Sequence, residues 1–318
     1  MKKYFILITS LILFSSHDMF LKMDTYYLQP NQEASIALYN GTFTASENTI
    51  DRNRMIDVSL VGNGKRKAVD TTQWIEKDLA TILNFTTGEE GTWVAGVSTR
   101  ARNIELEAEA FNEYLDHDGV IDMLEWRKQN DAMDEDAVEK YSKHVKTIFQ
   151  VGEKTSSDWD AELGYPIEFV PLSNPYDARK GDQLKVKLLR DAKPLSNQLV
   201  YVGSEHSHSH DHDHDEDSGD DHQHNEGTQL TTDGNGVVAM ELTEEGIWYL
   251  RTIHMTLSEE EGLTHESNWA TLTFEVGHGH SHADGHSHVM GGFIYWVVGI
   301  LLLAIILVWL RMNSRKKS

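Results

Sequence analysis

The 318-residue sequence contains no cysteine. That absence excludes disulfide staples and thiolate metal sites, so any metal must be held by nitrogen and oxygen ligands. Basic residues are scarce: 28 Lys and Arg stand against 51 Asp and Glu, a formal net charge of −23. Such a chain offers no footprint for nucleic-acid phosphates and is repelled by an anionic membrane surface, but it favours cations. Signatures of catalysis are missing too: no G-x-S-x-G, no H-E-x-x-H and no phosphate-cradling glycine loop. No enzymatic activity is therefore expected. Long apolar runs are lacking except for one near the C-terminus.

Histidine is what the chain has in excess, and it is concentrated. His206, His208, His210, His212, His214, His222 and His224 share residues 206–224 with seven carboxylates. His278, His280, His282, His286 and His288 fill a shorter tract, so the two tracts hold twelve of the seventeen histidines. Imidazole suits nickel, cobalt, zinc and copper. In an extended chain the H-x-H spacing sets alternate rings about 6.5–7 Å apart. Zinc–nitrogen bonds of ~2.0–2.1 Å require ligands to converge. A loop must therefore fold around each ion, which predicts several moderate, exchangeable sites rather than one rigid geometry. The charge density of the longer tract forbids burial and predicts an exposed loop at 205–227.

The ends of the chain place these tracts. Lys2 and Lys3 precede apolar residues 4–14 and then Ser15 and Ser16, the pattern of a secretory signal peptide over 1–16. The apolar stretch is too short to span a bilayer. Cleavage after Ser15 or after Ser16 leaves Ser16 or His17 first. Residues 291–310 carry no charge and match the ~20 residues a helix needs to cross a membrane. Trp296 and Trp309 lie toward the ends of that run, and Arg311, Arg315, Lys316 and Lys317 follow it. The positive-inside rule puts the 311–318 tail in the cytoplasm. The expectation is a single-pass inner-membrane protein whose bulk is extracytoplasmic, with a histidine-rich linker, 278–290, next to the bilayer.

Between the ends, short alternating segments are separated by turn residues. Residues 55–61 alternate and then meet Gly62-Asn63-Gly64; 83–85, 92–97 and 103–108 read as further strands. Residues 111–150 are rich in helix formers, with apolar positions at helical spacing, and predict helices near 119–129 and 134–149. From 166 the β pattern resumes, with strands at 166–172, 184–189, 198–202, 230–232, 237–242, 248–255 and 269–276. The turn Asp233-Gly234-Asn235-Gly236 predicts a hairpin between the fourth and fifth of these. The fold class is thus mainly β. Two β-sandwich domains of immunoglobulin-like or prealbumin-like type are expected, 17–163 with the helical insertion and 164–277 with the histidine loop, followed by one transmembrane helix.

Several segments carry a family resemblance: His17-Asp18-Met19-Phe20-Leu21, FNEYLDHDGV (111–120), EKYSKHVKTIFQVGE (139–153), GYPIEFVPLSNPY (164–176) and TTDGNGVVAMELTEEGIWYLRTIHM (231–255). Through them the chain resembles an extracytoplasmic family of unknown-function proteins described as periplasmic components of nickel/cobalt transport. The helix segment usual in that family has a basic or aromatic residue where this chain has His144. The resemblance implies a β-rich fold, metal ions as ligands and a membrane metal transporter as partner.

Three lone histidines are candidate ligands beside the tracts. His17, if it begins the mature chain, offers an α-amino group and an imidazole to one metal, a chelate that copper and nickel favour. His254 ends the half-apolar strand 248–255, where a structural role is the commoner one. His265, beside Glu266, could close one site with His17 and His254. Asp116-His117-Asp118-Gly119 mimics a calcium loop, but Tyr114 occupies the first ligand position, so Asp118-Gly119 reads as a helix-entry turn with Asp118 as cap. The sequence-level reading is a membrane-anchored capture or buffering protein for divalent transition metals. An adhesion or interaction module, or a copper protein built on His17, are the alternatives.

Overall fold

The computed structural model describes residues 18–205 and 227–277. The signal segment, His17, both histidine tracts and the apolar run 291–310 lie outside them. Among the described residues no helix is long and apolar enough to cross a membrane.

The chain begins with β1 (Asp18–Lys22), β2 (Tyr27–Leu28), β3 (Glu33–Gly41), β4 (Met55–Gly62), β5 (Lys65–Ala68), β6 (Trp74–Lys77), β7 (Ala80–Thr86), β8 (Gly91–Thr99) and β9 (Arg102–Leu106). Two helices follow, α1 (Ala108–His117) and α2 (Ile121–Gln129), then a fifteen-residue strand, β10 (Ala137–Val151). The remainder is β11 (Ile167–Pro171), β12 (Gln183–Arg190), β13 (Lys193–Pro194), β14 (Leu199–Ser204), β15 (Thr228–Thr231), β16 (Val237–Glu241), β17 (Gly246–Leu257) and β18 (His265–Val276).

These strands form a mainly β, sandwich-like body built on one ten-stranded sheet. Its main order is β15-β14-β17-β18-β10-β8-β4-β5, with β2 and β9 also pairing to β10. A small sheet of β11, β12, β13 and β16 lies on one face. Its Ile167, Phe169, Leu184, Val186 and Val238 pack against Ile148, Leu250, Leu272 and Phe274. A second small sheet, β1-β3-β7-β6, covers part of the other face, where Leu21, Ile36 and Leu83 meet Val58, Val97, Val145 and Phe149. The helices cover the rest of that face through Phe111, Leu115 and Leu124 against Ile253, Met255 and Trp269. The division expected at 163/164 is no break in the central sheet: β10 and β18, from opposite sides of it, pair in parallel from Glu139↔His265 to Thr147↔Thr273.

Local chemistry accounts for most strands. The β4–β5 hairpin turns at Asn63 and Gly64, with φ of 53° and 70°, the left-handed pair that the Asn-Gly dipeptide tolerates. Two expectations fail. The helix expected over 134–149 is strand β10. Its pattern misleads because it is buried on both faces over most of its length, which removes the period-2 signal, and because its lysines and histidine look solvated when they are paired. The hairpin expected across Asp233-Gly234-Asn235-Gly236 is also absent. The turn exists, with Asp233 Oδ1 accepting from the N–H of Asn235 (2.8 Å) and Val237 (2.9 Å). However, β15 pairs with β14 while β16 pairs with β12, so the chain changes sheet there.

Gly96 sits where β8 meets the smaller sheet's approach. A Cβ there would lie 2.2 Å from Leu163 Cδ1 and 2.7 Å from the Tyr165 hydroxyl. Gly96→Ala is expected to destabilise by about 1–3 kcal/mol through overpacking, read as a lowered thermal midpoint; an unchanged midpoint refutes this.

Candidate functional site

The longer histidine tract is hung from a hydrogen-bonded pair of strands. β14 and β15 run antiparallel with Leu199↔Thr231 through Val202↔Thr228 in register, and β14 pairs on its other side with β17. Residues 206–226 therefore leave and re-enter the structure beside one another, at the rim of the central sheet. No metal-binding geometry can be assigned to the tract itself, which lies outside the described residues.

His254 and His265 are not brought together. β17 and β18 pair with His254 opposite Asn268 and Leu257 opposite His265. An odd offset puts the two imidazoles on opposite faces of the sheet. His254 faces the smaller sheet of β11–β13, with Nδ1 2.8 Å from Gln198 Oε1. Gln198 Nε2 donates to Ile253 O at 3.1 Å, which orients the amide so that the His254 Nδ1–H donates. Burial, then Arg190, lowers its pKa. His265 faces the helices. Its Nδ1 is 2.7 Å from Thr264 Oγ1, its ring centroid is 4.7 Å from that of Phe111, and Nε2 is buried without a hydrogen-bond partner. Burial, then Arg127, pushes it down to about 4. A shared site for the two is thus ruled out by the register. Among the described residues no group of three or more His, Asp or Glu could hold a metal ion.

A layer of buried charge went unread in the sequence. At the start of β1, Asp18 Oδ2 lies 3.4 Å from Arg251 Nε, and the two side chains are 7% and 2% exposed. Arg251 also donates from Nη1 to the carbonyl of Asp118 (3.1 Å) and stacks its guanidinium 4.3 Å from the Tyr201 ring centroid. Asp118 is therefore no helix-entry cap. It closes α1, before Gly119 at φ 74°. Its Oδ1 meets His117 Nδ1 at 3.2 Å and its Oδ2 is buried without a hydrogen-bond partner. Burial raises its pKa.

Next along the layer, Glu139 accepts from the hydroxyls of Tyr114 (3.2 Å) and Ser267, and burial pushes it up to about 7. Lys143, pushed down to about 8 by burial, lies 3.4 Å from Asn40 Oδ1 and 4.7 Å from the Trp269 ring centroid. On the other face of β10, His144 is clasped by Ser98 (2.9 Å to Nδ1) and Ser142 (3.0 Å to Nε2). Lys146 there forms a 3.0 Å ion pair with Glu168. The only sequence signal for this layer was charge inside otherwise apolar strands, as at Arg251 in WYLRTIHM.

The sequence matches the family described as Domain of unknown function (DUF4198) over residues 14–256. The chain belongs to that family. No curated protein matches it. Among solved structures, a DUF4785 family protein from Legionella pneumophila is 11% identical at a TM-score of 0.22, covering 57% of this chain and 37% of that one. Salmonella alpha-2-macroglobulin is 10% identical at a TM-score of 0.21, covering 81% of this chain and 15% of the other. The D0–D1 domain of intimin is 12% identical at a TM-score of 0.19, covering 81% of this chain and 97% of that domain. The chain thus spans well under two thirds of the first two relatives.

Proposed function

We propose that this member of the DUF4198 family is a membrane-anchored, extracytoplasmic binding protein for nickel, cobalt or zinc, which captures and buffers the ions for a membrane metal transporter. The observation that carries the reading is the mounting of residues 206–226. Seven histidines and seven carboxylates are inserted between two strands that pair with each other, so both ends of the tract are anchored side by side in the central sheet. Carboxylates offset the charge of the ions, and the ring nitrogens supply the bonds. Release on acidification follows from imidazole protonation near pH 6.5. The body itself takes the immunoglobulin-like or prealbumin-like sandwich role of a scaffold.

A second reading is a copper site at His17. It rests on Asp18, the next residue, whose carboxylate is fixed by Arg251. Calorimetric titration with nickel, zinc, cobalt and copper separates the readings, using the full chain in detergent and a variant joining Glu205 to Gly227 by a short turn. Metal capture predicts several ions bound per chain, with stoichiometry falling by at least about half in the variant, since each ion takes two to four ligands. A single tight copper site retained in the variant supports the second reading. No binding to either form refutes both and leaves an interaction module.

A further inference from the structure

The chain has no cysteine, so a covalent tie between its sheets has to come from other side chains. One pair of residues is placed to make it. Asn40 lies near the end of β3 in the small β1-β3-β7-β6 sheet, and Lys143 lies midway along β10 in the central sheet. The two are 103 positions apart in sequence, yet Nζ of Lys143 is 3.4 Å from Oδ1 of Asn40. Both residues are buried, at 4% and 6% exposure. Nδ2 of Asn40 donates to Oδ1 of Asn48, which turns the amide oxygen toward the lysine.

The amine is also reactive. Burial pushes Lys143 down to about 8, against the opposing pull of Asp18, Asp118 and Glu139. Near that pH about half of it is the neutral nucleophile, where an ordinary lysine has less than about 1%. The Trp269 ring centroid lies 4.7 Å from Nζ, so the amine sits in largely apolar surroundings. Reacting atoms held about 3–3.5 Å apart behave as though at very high concentration. Nζ has only to slide from Oδ1 to the carbon of the same carboxamide. Asn40, Asn48, Glu139 and Lys143 line one cavity of about 270 Å³, which has room for a departing ammonia, a molecule about the size of a water at ~30 Å³.

We infer that Lys143 and Asn40 join in an intramolecular isopeptide bond that ties the small sheet to the central one. Nζ attacks Cγ of Asn40, a new C–N bond replaces the bond to Nδ2, and Nδ2 leaves as ammonia. One proton passes from Nζ to the leaving nitrogen. Of the carboxyls that bear on Nζ, Glu139, held at about 7 by burial, exchanges a proton most readily near neutral pH. No oxidant, metal or co-reactant enters the balance, and the bond is independent of metal capture by the histidine tract.

The test is the intact mass and tryptic peptide map of the full chain, purified in detergent and incubated at about pH 8, where the amine is half neutral. The chain is expected to be lighter by one ammonia than the sequence of its mature form. Residues 23–52 should be recovered joined to 141–146, with no cleavage after Lys143. Lys143→Arg, which keeps the charge but cannot form the bond, should show no loss of ammonia and only unbranched peptides. Because the bond closes a loop of about 100 residues, the parent should also migrate faster than this variant after boiling in detergent. Recovery of only unbranched peptides from the parent overturns the proposal, whether or not the variant folds. So does a loss of ammonia that persists in Lys143→Arg, the mark of ring closure of Asn40 on the backbone nitrogen of Gly41.

Discussion

Glu168→Ala is expected to destabilise the fold by about 3–5 kcal/mol, because it leaves a buried ammonium without its counter-charge. Glu168 and Lys146 are 3% and 1% exposed and meet at 3.0 Å. The carboxylate does more than pair. Its oxygens accept the backbone N–H groups of Leu163 (2.9 Å), Gly164 (2.8 Å) and Tyr165 (3.3 Å), which fixes the turn into β11. Lys146 keeps only the carbonyls of Ala161 (2.8 Å) and Phe169 (2.9 Å) once the acid is gone. Against a typical total stability of about 5–15 kcal/mol, that loss is a large fraction.

The companion double variant, Glu168→Leu with Lys146→Met, is expected to recover much of the loss, since two apolar side chains leave no buried charge. It does not restore the acceptor for the three N–H groups, so recovery should be incomplete. Chemical denaturation of the parent and both variants gives the comparison. A single variant within about 1 kcal/mol of the parent, the range of an exposed pair, would show that the ion pair contributes no more than one at the surface.

The same pair shows where sequence reading stops. Residues 55–61 alternate because Val58 and Leu60 point into one core while Asp57 and Ser59, on the other side of β4, accept from Arg66, and the turn at Asn63-Gly64 carries its own signal. The run LKVKLL alternates because Leu184, Val186 and Leu188 point into one core while Lys185 is exposed. Strand β10 offers no such clue. Lys143, His144 and Lys146 are all buried there, on both faces, and the partners that make this tolerable are distant in sequence: Asn40, Ser98 and Glu168. Long-range pairing also decided the candidate site. Taken singly, His254 and His265 looked like two ligands near the end of one domain. Only the register between β17 and β18 shows them on opposite faces. The strands that bound residues 206–226, β14 and β15, fall close to segments that the sequence had already marked as strands, 198–202 and 230–232.

Stability is expected to fall as pH drops from about 6.5 to about 4, and buried histidine is the reason. His144 and His265 are 2% and 3% exposed, and burial pushes each down to about 4. Arg190 lowers His144 further while Glu168 opposes it, and Arg127 lowers His265. Between about pH 4 and 6.5 the unfolded chain binds protons that the folded chain refuses, so unfolding is favoured as pH falls. A displacement of this size is worth on the order of 3 kcal/mol for each histidine once both states are compared below pH 4. Glu139 works the other way. Burial holds its carboxyl at about 7, above the usual glutamate value of 4.5, so the fold keeps a proton that the unfolded chain releases, and acidification from 7 to 4.5 stabilises. Asp118, which burial also raises, works in the same direction as Glu139, so two acids oppose three lowered histidines, His254 being the third, and the net loss is smaller than the two strongly shifted histidines alone would give. Denaturant unfolding of metal-free protein at pH 7, 5.5 and 4.5 measures the slope, and His144→Asn, which keeps a polar group between Ser98 and Ser142, should remove one histidine's share and with it most of the net slope. A parent whose stability is level or rises across that window would mean that the two buried imidazoles accept protons as freely in the fold as outside it.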